Sequence, residues 1–537
     1  VGQSLSATFT QKLGDMGSDG EASPISQAYR IQPIIPVYDI IGKFAGTKSG
    51  PNFGNAENPV AQLTRNANNY DKYARAMGNF YGEATIIKGL NFKSLFGFDF
   101  GTTDQKYVNL ANPEMAESHA NDALNINHNY TMQWNWVNTL SYDKTFGPHN
   151  ISAVIGTEAI SSVYTEENAG RAIYTLNDFN YMQLNSGEAS QTNNGYASEW
   201  SLFSQFGRVN YSMNGKYLLE AVVRRDGSSR FAKANRYGIF PAVSAGWVIS
   251  QEDFMAGTSN VINFLKLKGG WGKSGNDRIG DYNSFTTFNV NKIQSSYPLD
   301  GTATGLTIGF QPLQYGNENV TWEKTSTLDI GLDTRFLANT LSFGIDIWQR
   351  TTTDMLYQVQ KPQVSGVANQ PYVNIGDMKN TGFDLELGYS NKAMDGKFVY
   401  SINATLSHYK NEVTKLSNNS NEFITTASER QVDYSRAQVG HAFPEFFGYI
   451  VDGIFQTQAE VDAYPAFGTY NKPGHFKFRD VSGDGKIDAS DRTYIGSPHP
   501  KLTGGMNINL AYGGLDLSVV FYGSYGNKMI NYVRRWI

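Results

Sequence analysis

The 537-residue sequence contains no cysteine and only 17 prolines. The lack of cysteine excludes disulfides, thiolate catalysis and cysteine-bound zinc. No stretch rich in proline, serine or charge divides the chain, so the composition gives no sign of linkers between separate domains. No apolar run approaches the ~18–20 residues that a transmembrane helix needs. A net charge of −5 provides no basic field, and we therefore expect no nucleic-acid partner.

Aromatic residues and glycine are abundant instead. Phenylalanine and tyrosine contribute 32 residues each, and glycine contributes 54. Flat aromatic side chains pack well on the pleated surface of a β-sheet, so this composition favours strands over helices. The mean hydropathy of −0.41 is typical of a soluble protein. A transmembrane β-barrel has a similar average, because only alternate residues of its strands face lipid.

Apolar and polar residues alternate with a period of two in long runs along the chain. Two examples of residues that share a face are Phe92, Phe96, Phe98 and Phe100, and then Leu341, Phe343, Ile345 and Ile347. Many runs last roughly ten to fifteen residues, whereas strands of globular proteins average about five or six. A tilted strand that crosses a membrane needs about nine to eleven residues. The runs therefore indicate membrane-spanning strands.

Short turns alternate with long polar segments between these runs. The predicted tight turns are Lys88-Gly89, Asn214-Gly215, Leu337-Ala338-Asn339, Asp395-Gly396 and Gly513-Gly514, and the long polar segments are 101–128, 164–198, 276–319 and 411–443. This asymmetry is typical of outer-membrane barrels. The sequence thus predicts an all-β fold, a large antiparallel transmembrane β-barrel with roughly fourteen to sixteen strands in this chain. The alternatives are soluble β-sandwiches or a propeller, although the repeat of about 40–50 residues expected of a propeller is not found.

Several segments appear in a characteristic order. They include "RRDGSSRFAKANRYGIFPAVSAGWVISQEDFM" (224–255), "LKLKGGWGKSGNDRIGDY" (265–282), "NENVTWEKTSTLDIGLD" (317–333), "FPEFFGYIVDGIFQT" (443–457) and "FRDVSGDGKIDASDRTYIGSPHPKLTGGMNINLAYGGLDLSVVFYGSYGNKM" (478–529). In these segments the chain resembles the SusC-like (SusC/RagA) branch of the TonB-dependent transporters. The resemblance implies a barrel of about 22 strands when complete. We expect residues 1–537 to be a barrel domain truncated at both ends, without the plug domain of the family.

The resemblance also implies a function. SusC-like proteins of Bacteroidetes import oligosaccharides or peptides across the bacterial outer membrane, energised by TonB and working with a SusD-like surface lipoprotein that acts as a lid. The expected partners are therefore TonB, the SusD-like lid, outer-membrane lipid and the cargo. Two alternatives remain, a passive porin or structural barrel and a secreted calcium-binding β-sandwich protein that binds carbohydrate. We expect no enzyme activity and no catalytic residues, because the seven histidines are scattered and no GxSxG or HExxH motif is present.

One segment, residues 480–491, matches the twelve-residue calcium loop. Calcium binds six to eight hard oxygen ligands, and Gly485 at position 6 permits the sharp turn that makes them converge. The ligands would come from Asp480, Ser482, Asp484, Lys486 (through its backbone carbonyl), Asp488 and Asp491. The sequence thus predicts a structural Ca²⁺ site within an extracellular loop, and no organic cofactor. The alternative is a solvated acidic turn without metal.

Four charged residues cluster near a predicted strand end: Arg224, Arg225, Asp226 and Arg230. They fit a patch that faces the lumen and contacts the plug or a ligand. They fit equally well as charges that solvate the strand end. The substrate-binding residues cannot be identified from the sequence.

Tryptophans near the ends of the alternating runs fit the aromatic girdles of a membrane barrel, or its core. They are Trp134, Trp136, Trp247, Trp322 and Trp348. A minority of them could stack on a ligand.

Overall fold

The computed structural model describes residues 1–14, 23–290, 295–299, 301–302, 306–358, 368–416, 423–429 and 432–535. Most of these residues lie in antiparallel strands, because alternating apolar and aromatic residues favour the pleated backbone. The strands are β1 (Gly2–Leu13), β2 (Tyr70–Ile87), β3 (Leu90–Asn109), β4 (Ala123–Phe146), β5 (His149–Ala172), β6 (Ala189–Met213), β7 (Tyr217–Ser228), β8 (Tyr237–Val248), β9 (Ile262–Asn276), β10 (Thr287–Asn289), β11 (Tyr297–Pro298), β12 (Leu306–Thr307), β13 (Gln311–Gln314), β14 (Glu323–Phe336), β15 (Leu341–Thr353), β16 (Leu356–Gln358), β17 (Tyr372–Asn374), β18 (Asp377–Ala393), β19 (Phe398–Lys415), β20 (Phe423–Glu429), β21 (Val432–Gln438), β22 (Glu445–Gly448), β23 (Val451–Ile454), β24 (Phe476–Phe478), β25 (Thr493–Gly496), β26 (Leu502–Tyr512) and β27 (Leu515–Tyr525).

The helices within the described residues are short. They are α1 (Pro24–Arg30), α2 (Pro59–Asn66) and α3 (Gln458–Asp462), with 3-10 turns at Thr47–Ser49, Ile249–Gln251, Asp253–Thr258, Ala489–Asp491 and Tyr532–Arg535. Side chains cap each α-helix: Ser23 accepts from the Ser26 N–H, Asn58 from Val60 and Ala61, and Thr457 from Glu460. In the part of the chain that the structure describes, no helix combines the length and the apolar character needed to cross a membrane.

Fifteen strands are hydrogen-bonded into one sheet in the order β1-β2-β3-β4-β5-β6-β7-β8-β9-β14-β15-β18-β19-β26-β27. This count, made over the described residues, confirms the fourteen to sixteen strands predicted from the alternation. The remaining strands form small sheets within the long connections, namely β10-β13, β11-β12, β16-β17, β20-β21-β22-β25 and β23-β24.

The chain divides into two compact units. The first unit comprises Val1–Leu140, Gly156–Ser204 and Ile530–Ile537, and the second comprises Ser141–Ile155 and Gln205–Met529. In the first unit β1 pairs with β2, and β2 pairs with β3. In the second unit β7, β8, β9, β14, β15, β18, β19, β26 and β27 are antiparallel neighbours in that order.

The register of the second unit separates two faces of its sheet. Leu328 pairs with Trp271, and Ile330 pairs with Ile347, which pairs in turn with Phe383. These residues line one surface, here called the apolar face, where Ile330 is 58% and Ile347 62% exposed. Side chains this exposed and this apolar, side by side over many strands, are stable only against lipid.

The opposite surface, here called the polar face, carries charge. Lys268 places its Nζ 3.0 Å from Asp333 Oδ1 and 3.0 Å from Asp346 Oδ1. Gly331 pairs with both Lys268 and Asp346, and a Cβ at this glycine would clash with both side chains. Gly331 therefore leaves the space in which the ion pairs form.

The tight turns lie where the sequence predicts them. Asn214 (φ 55°) and Gly215 (φ 69°) adopt the left-handed backbone of a two-residue hairpin, closed by the bond from the Lys216 N–H to the Met213 carbonyl at 2.9 Å. Asp395 (φ 55°) and Gly396 (φ 84°) adopt it within the turn 394–397 between β18 and β19. Two of the long polar segments predicted from the sequence, in contrast, are only partly loops. Strands β3 and β4 occupy much of 101–128, and β5 and β6 occupy much of 164–198. Backbone pairing continues past the lipid-facing stretch, because a strand in water does not need an apolar face.

Candidate functional site

The predicted calcium loop lies between β24 and β25, in the long connection from β19 to β26. Strand β24 pairs with β23, where Val451 is opposite Phe478, and β25 pairs with β22, where Gly496 is opposite Phe446. A short 3-10 turn, Ala489–Asp491, ends the loop. The loop is thus flanked by strands and not by the paired helices of an EF-hand.

Asp491 is the central residue of this loop. Its carboxylate is fully buried. Oδ1 accepts the backbone N–H groups of Val481 at 2.9 Å and Ser482 at 3.0 Å, and Oδ2 accepts that of Asp488 at 2.8 Å. The N–H groups of Ser482 and Asp488 are the main reason that the pKa of Asp491 is lowered to about 2.

The first half of the loop is folded around Asp480. Its Oδ1 accepts the N–H of Gly483 at 2.6 Å, and its Oδ2 accepts the N–H of Gly485 at 2.9 Å. Asp484 Oδ1 accepts the N–H of Lys486 at 2.9 Å. Gly483 and Gly485 have φ values of +75° and +80°, a region that favours glycine. These bonds form a compact turn with its acidic side chains at the surface.

The second half of the loop is anchored to its surroundings. Ile487 is buried, and its N–H donates to the carbonyl of Ala466 at 2.9 Å. Asp488 Oδ1 accepts both the N–H (2.8 Å) and the hydroxyl (2.7 Å) of Ser490, and these bonds lower the pKa of Asp488. Ile487 at position 8 and Asp488 at position 9 therefore anchor the second half of the loop.

The fit of the loop to calcium is mixed. The hard oxygen donors predicted from the sequence are all on one short loop, where Ser482, Asp484 and Asp488 are exposed and Asp480 is half-buried. Among the described residues, however, no three or more histidine, aspartate or glutamate side chains are gathered in an arrangement that could hold a metal ion. The carboxylate of Asp491 instead points at backbone N–H groups. The metal site remains a prediction.

An aromatic cluster, not predicted from the sequence, packs beside the loop. Phe478 contacts Tyr449, Phe467 and Tyr470 with ring centroids 5.2, 5.6 and 5.6 Å apart. Such pairs each add about 0.5–1.5 kcal/mol beyond the area that they bury. The cluster holds the strand that leads into the loop, and its only signal in the sequence is the density of aromatic residues between 443 and 478.

Two arginines connect the loop to the four-stranded sheet β20-β21-β22-β25. Arg436 lies between two rings, 3.8 Å from the centroid of Phe423 and 3.9 Å from that of Phe447. Burial lowers the pKa of Arg436. Arg492, which follows Asp491, lies 5.0 Å from the centroid of Phe447 and donates to the carbonyl of Asp433. The loop and this sheet therefore share one packing unit.

The four charged residues near the end of β7 do not form one patch. Arg224 Nε lies 2.7 Å from Asp226 Oδ1. Arg225 is the neighbour of both in sequence but projects on the opposite face, because side chains alternate along a strand. Arg230 lies in the turn after β7, where it pairs with Asp281 at 2.9 Å and with Asp277 at 3.3 Å.

Comparisons with known proteins agree with this architecture. Residues 23–526 match the family described as "TonB dependent receptor-like, beta-barrel". The chain is 30% identical over 525 residues to TonB-dependent receptor P3 of Formosa agariphila. The aligned region covers 96% of this chain and 50% of that relative. It is 31% identical over 334 residues to the TonB-dependent receptor SusC of Bacteroides thetaiotaomicron, with coverage of 62% and 32%.

A solved structure of the RagAB peptide transporter has a similar fold. Its TM-score is 0.82 at 24% identity, and the match covers 99% of this chain and 56% of that chain. The chain spans about half the length of the curated relatives that match most of it. The family is one of receptors and transporters rather than enzymes, and its members reside in the bacterial outer membrane. The chain therefore belongs to the TonB-dependent receptor-like β-barrel family.

Proposed function

We propose that the protein imports oligosaccharides or peptides across the bacterial outer membrane, energised by TonB and working with a SusD-like surface lipoprotein. The observation that carries this proposal is the family match over residues 23–526. The two faces of the sheet support it, because lipid can border the apolar face while a wet lumen borders the ion pairs of Lys268, Asp333 and Asp346. The similarity to RagAB, a peptide transporter, and to the receptor SusC is further support.

A deletion strain complemented with the full-length gene tests this proposal. We expect growth on at least one oligosaccharide or peptide source to be lost on deletion and restored by the gene. Restoration should fail when TonB is absent, because the importer draws on the inner-membrane proton gradient. Uptake that persists without TonB would support the passive porin instead. Growth that is undiminished by the deletion on every source tested would contradict both. The family fold excludes the alternative of a secreted β-sandwich protein.

We also propose that Ca²⁺ stabilises loop 480–491. The donor set supports this, because side-chain oxygens stand at positions 1, 3, 5, 9 and 12 and the turn at Gly485 is already formed. The metal would be held by Asp480, Ser482, Asp484, the carbonyl of Lys486, Asp488 and Asp491. Asp491 would then exchange backbone N–H partners for the cation, so binding requires a local rearrangement.

A further inference from the structure

Five cations lie on the apolar face of the second unit, one on each of five strands. Lys273 is opposite Ser326, Ser326 is opposite Thr351, and Thr351 is opposite Lys379, so these residues share one face. The five, here called the cationic row, are Arg225 on β7, Lys273 on β9, Lys324 on β14, Lys379 on β18 and Lys410 on β19.

Each cation stands just beyond the apolar stretch of its strand. The last apolar residues on this face, in the order of the row, are Val223, Trp271, Leu328, Phe383 and Leu406. Arg225 and Lys273 lie two residues beyond the last apolar residue of their strands. Lys324, Lys379 and Lys410 lie four residues beyond it. A lipid-facing lysine or arginine costs ~2–4 kcal/mol at the bilayer midplane but only ~0–1 kcal/mol near the interface. The cationic row therefore marks the level of the lipid headgroups.

The other end of the apolar face is different. Aromatic side chains stand there, namely Tyr217, Trp247, Phe336, Tyr389 and Tyr512. The paired strands carry no lysine or arginine on this face at that end, as far as the described residues extend. Short turns connect β6 to β7, β14 to β15, β18 to β19 and β26 to β27 at that end, and only residues 249–261, between β8 and β9, form a longer connection among the described strands there. The opposite end carries the long connections 277–322 and 416–501, so the end with the short turns is the periplasmic side. The cationic row consequently lies on the extracellular side, against the outer leaflet.

Three members of the row form no ion pair in the part of the chain that the structure describes. Arg225 stacks 3.7 Å from the ring centroid of Tyr237 and donates to Gln205 Oε1 at 3.1 Å. Arg225 and Lys273 are exposed, and Lys379 is half-buried. Within the described residues, no carboxylate lies at ion-pair distance from Arg225 or Lys273, which leaves their charges open to a ligand. Lys379 stands directly opposite Glu412 in the pairing of β18 with β19, so its charge is partly offset.

The other two members are neutralised by the protein. Lys324 Nζ lies 3.3 Å from Asp354 Oδ2, and Lys410 Nζ lies 2.6 Å from Glu412 Oε2. Glu412 also faces Lys379, so the net positive charge of the row comes mainly from Arg225 and Lys273, with a smaller contribution from Lys379.

We propose that Arg225, Lys273 and Lys379 bind phosphate groups of outer-leaflet lipid headgroups. Arginine and lysine both pair with phosphate, and tyrosine and tryptophan rings, here Tyr237 and Trp271, prefer the headgroup level. The inference needs only that the strands span the outer membrane, and it does not depend on the cargo or on TonB.

Lipid retention by the purified full-length protein tests the inference. Wild type and the triple variant Arg225→Gln/Lys273→Gln/Lys379→Gln are prepared in neutral detergent. Each is mixed with phosphorylated lipid A or with the same lipid after removal of its phosphates, and binding is titrated by native mass spectrometry. A matched control removes three lysines from the periplasmic end in the variant Lys144→Gln/Lys392→Gln/Lys397→Gln. Each variant is run on a denaturing gel with and without boiling. A slower migration of the boiled sample verifies that the unboiled barrel is folded.

A basic residue near a membrane surface contributes about fivefold in affinity, so the triple variant should bind phosphorylated lipid roughly a hundredfold more weakly. The control should bind like wild type, and dephosphorylated lipid should bind wild type as weakly as phosphorylated lipid binds the triple variant. Equal binding of the two lipids by wild type overturns the inference. An equal loss in the control also overturns it, since the effect would then be nonspecific charge. The assay contains neither cargo nor TonB, so failed import leaves its result unchanged.

Discussion

Asp491 Oδ2 accepts the backbone N–H of Asp488 at 2.8 Å, while Asp488 caps the 3-10 turn that contains Asp491. The two carboxylates thereby fix each other's backbone over four residues. This reciprocal cap stabilises the acidic loop, because each negative charge faces N–H donors.

The cap should depend on pH. The pKa of Asp491 is lowered to about 2, whereas an unfolded aspartate titrates at about 3.9. Its ionised form therefore stabilises the loop fully above pH ~4, and this stabilisation is lost as the pH falls towards ~2. Hydrogen exchange at the amides of Val481, Ser482 and Asp488, corrected for intrinsic rates, should accelerate over that interval. In Asp491→Asn the same amides should exchange at least tenfold faster at pH 7. Unchanged protection in that variant would show that Asp491 does not hold the loop.

Calcium should bind the intact protein with modest affinity. Extracellular calcium modules have dissociation constants of roughly 10⁻⁴–10⁻³ M, and aspartate at position 12 is shorter than the usual glutamate. Calorimetric titration of wild type should give a saturable heat, which Asp484→Ala should abolish. Asp253→Asn, which removes an exposed carboxylate outside the loop, should titrate like wild type. Absence of heat in wild type, or identical heats in wild type and Asp484→Ala, rejects the site.

Gly331→Ala should destabilise the sheet. The new methyl group would displace the carboxylate of Asp346 and the end of Lys268, so the cost is the weakened ion pair between them, about 0.2–1 kcal/mol. Gly269→Ala is the matched control, because its Cβ would meet Asp329 O at 3.4 Å and Ile330 at 3.9 Å, ordinary contacts. Thermal unfolding in detergent should show a lower Tm for the first variant only. Equal Tm values would mean that the ion pairs of Lys268 tolerate displacement.

Arg436→Lys should loosen the four-stranded sheet near the loop. A lysine keeps the positive charge, but it lacks the planar guanidinium group that stacks between the rings of Phe423 and Phe447. The expected cost is about 1–2 kcal/mol, which hydrogen exchange across β21 and β22 measures. Arg278→Lys, at an exposed position, should leave those amides unchanged. Equal exchange in wild type and Arg436→Lys would show that charge alone suffices.

The sequence predicts the strands of the sheet well, because the alternation that reveals them is the same alternation that the bilayer requires. It predicts single side chains less well. The sequence leaves Trp322 open between a girdle and the core, and the residue is buried just before β14, 5.2 Å from Phe231 and 5.3 Å from Phe240. Trp348 lies on the polar face, where its Nε1 donates to Asp384 Oδ2 at 2.7 Å. Successive residues of a strand point to opposite faces, so a shift of one position moves a tryptophan from the apolar face to the polar face. The composition near a strand end does not show which face a given residue occupies.

The loop regions are harder still. The calcium-loop pattern is local, so the turn at Gly485 is visible in the sequence. The stacking of Arg436 and the contacts of Phe478 join residues that are far apart in the chain, and no local pattern specifies them. Arg224 and Arg225 illustrate the same limit, since neighbours in sequence lie on opposite faces of β7.

The claim that one face borders lipid and the other borders water is tested most directly at adjacent residues of β14. Residues 1–537 contain no cysteine, so Ile330→Cys and Asp329→Cys each add a single labelling site within them. Each variant is placed in the full-length protein, with any cysteine outside residues 1–537 replaced by serine, and is spin-labelled in outer-membrane vesicles. The label at position 330 should be relaxed by oxygen, which concentrates in lipid, and the label at position 329 by a water-soluble nickel chelate. Relaxation of both labels by nickel, or a reversal of the two, would contradict the account.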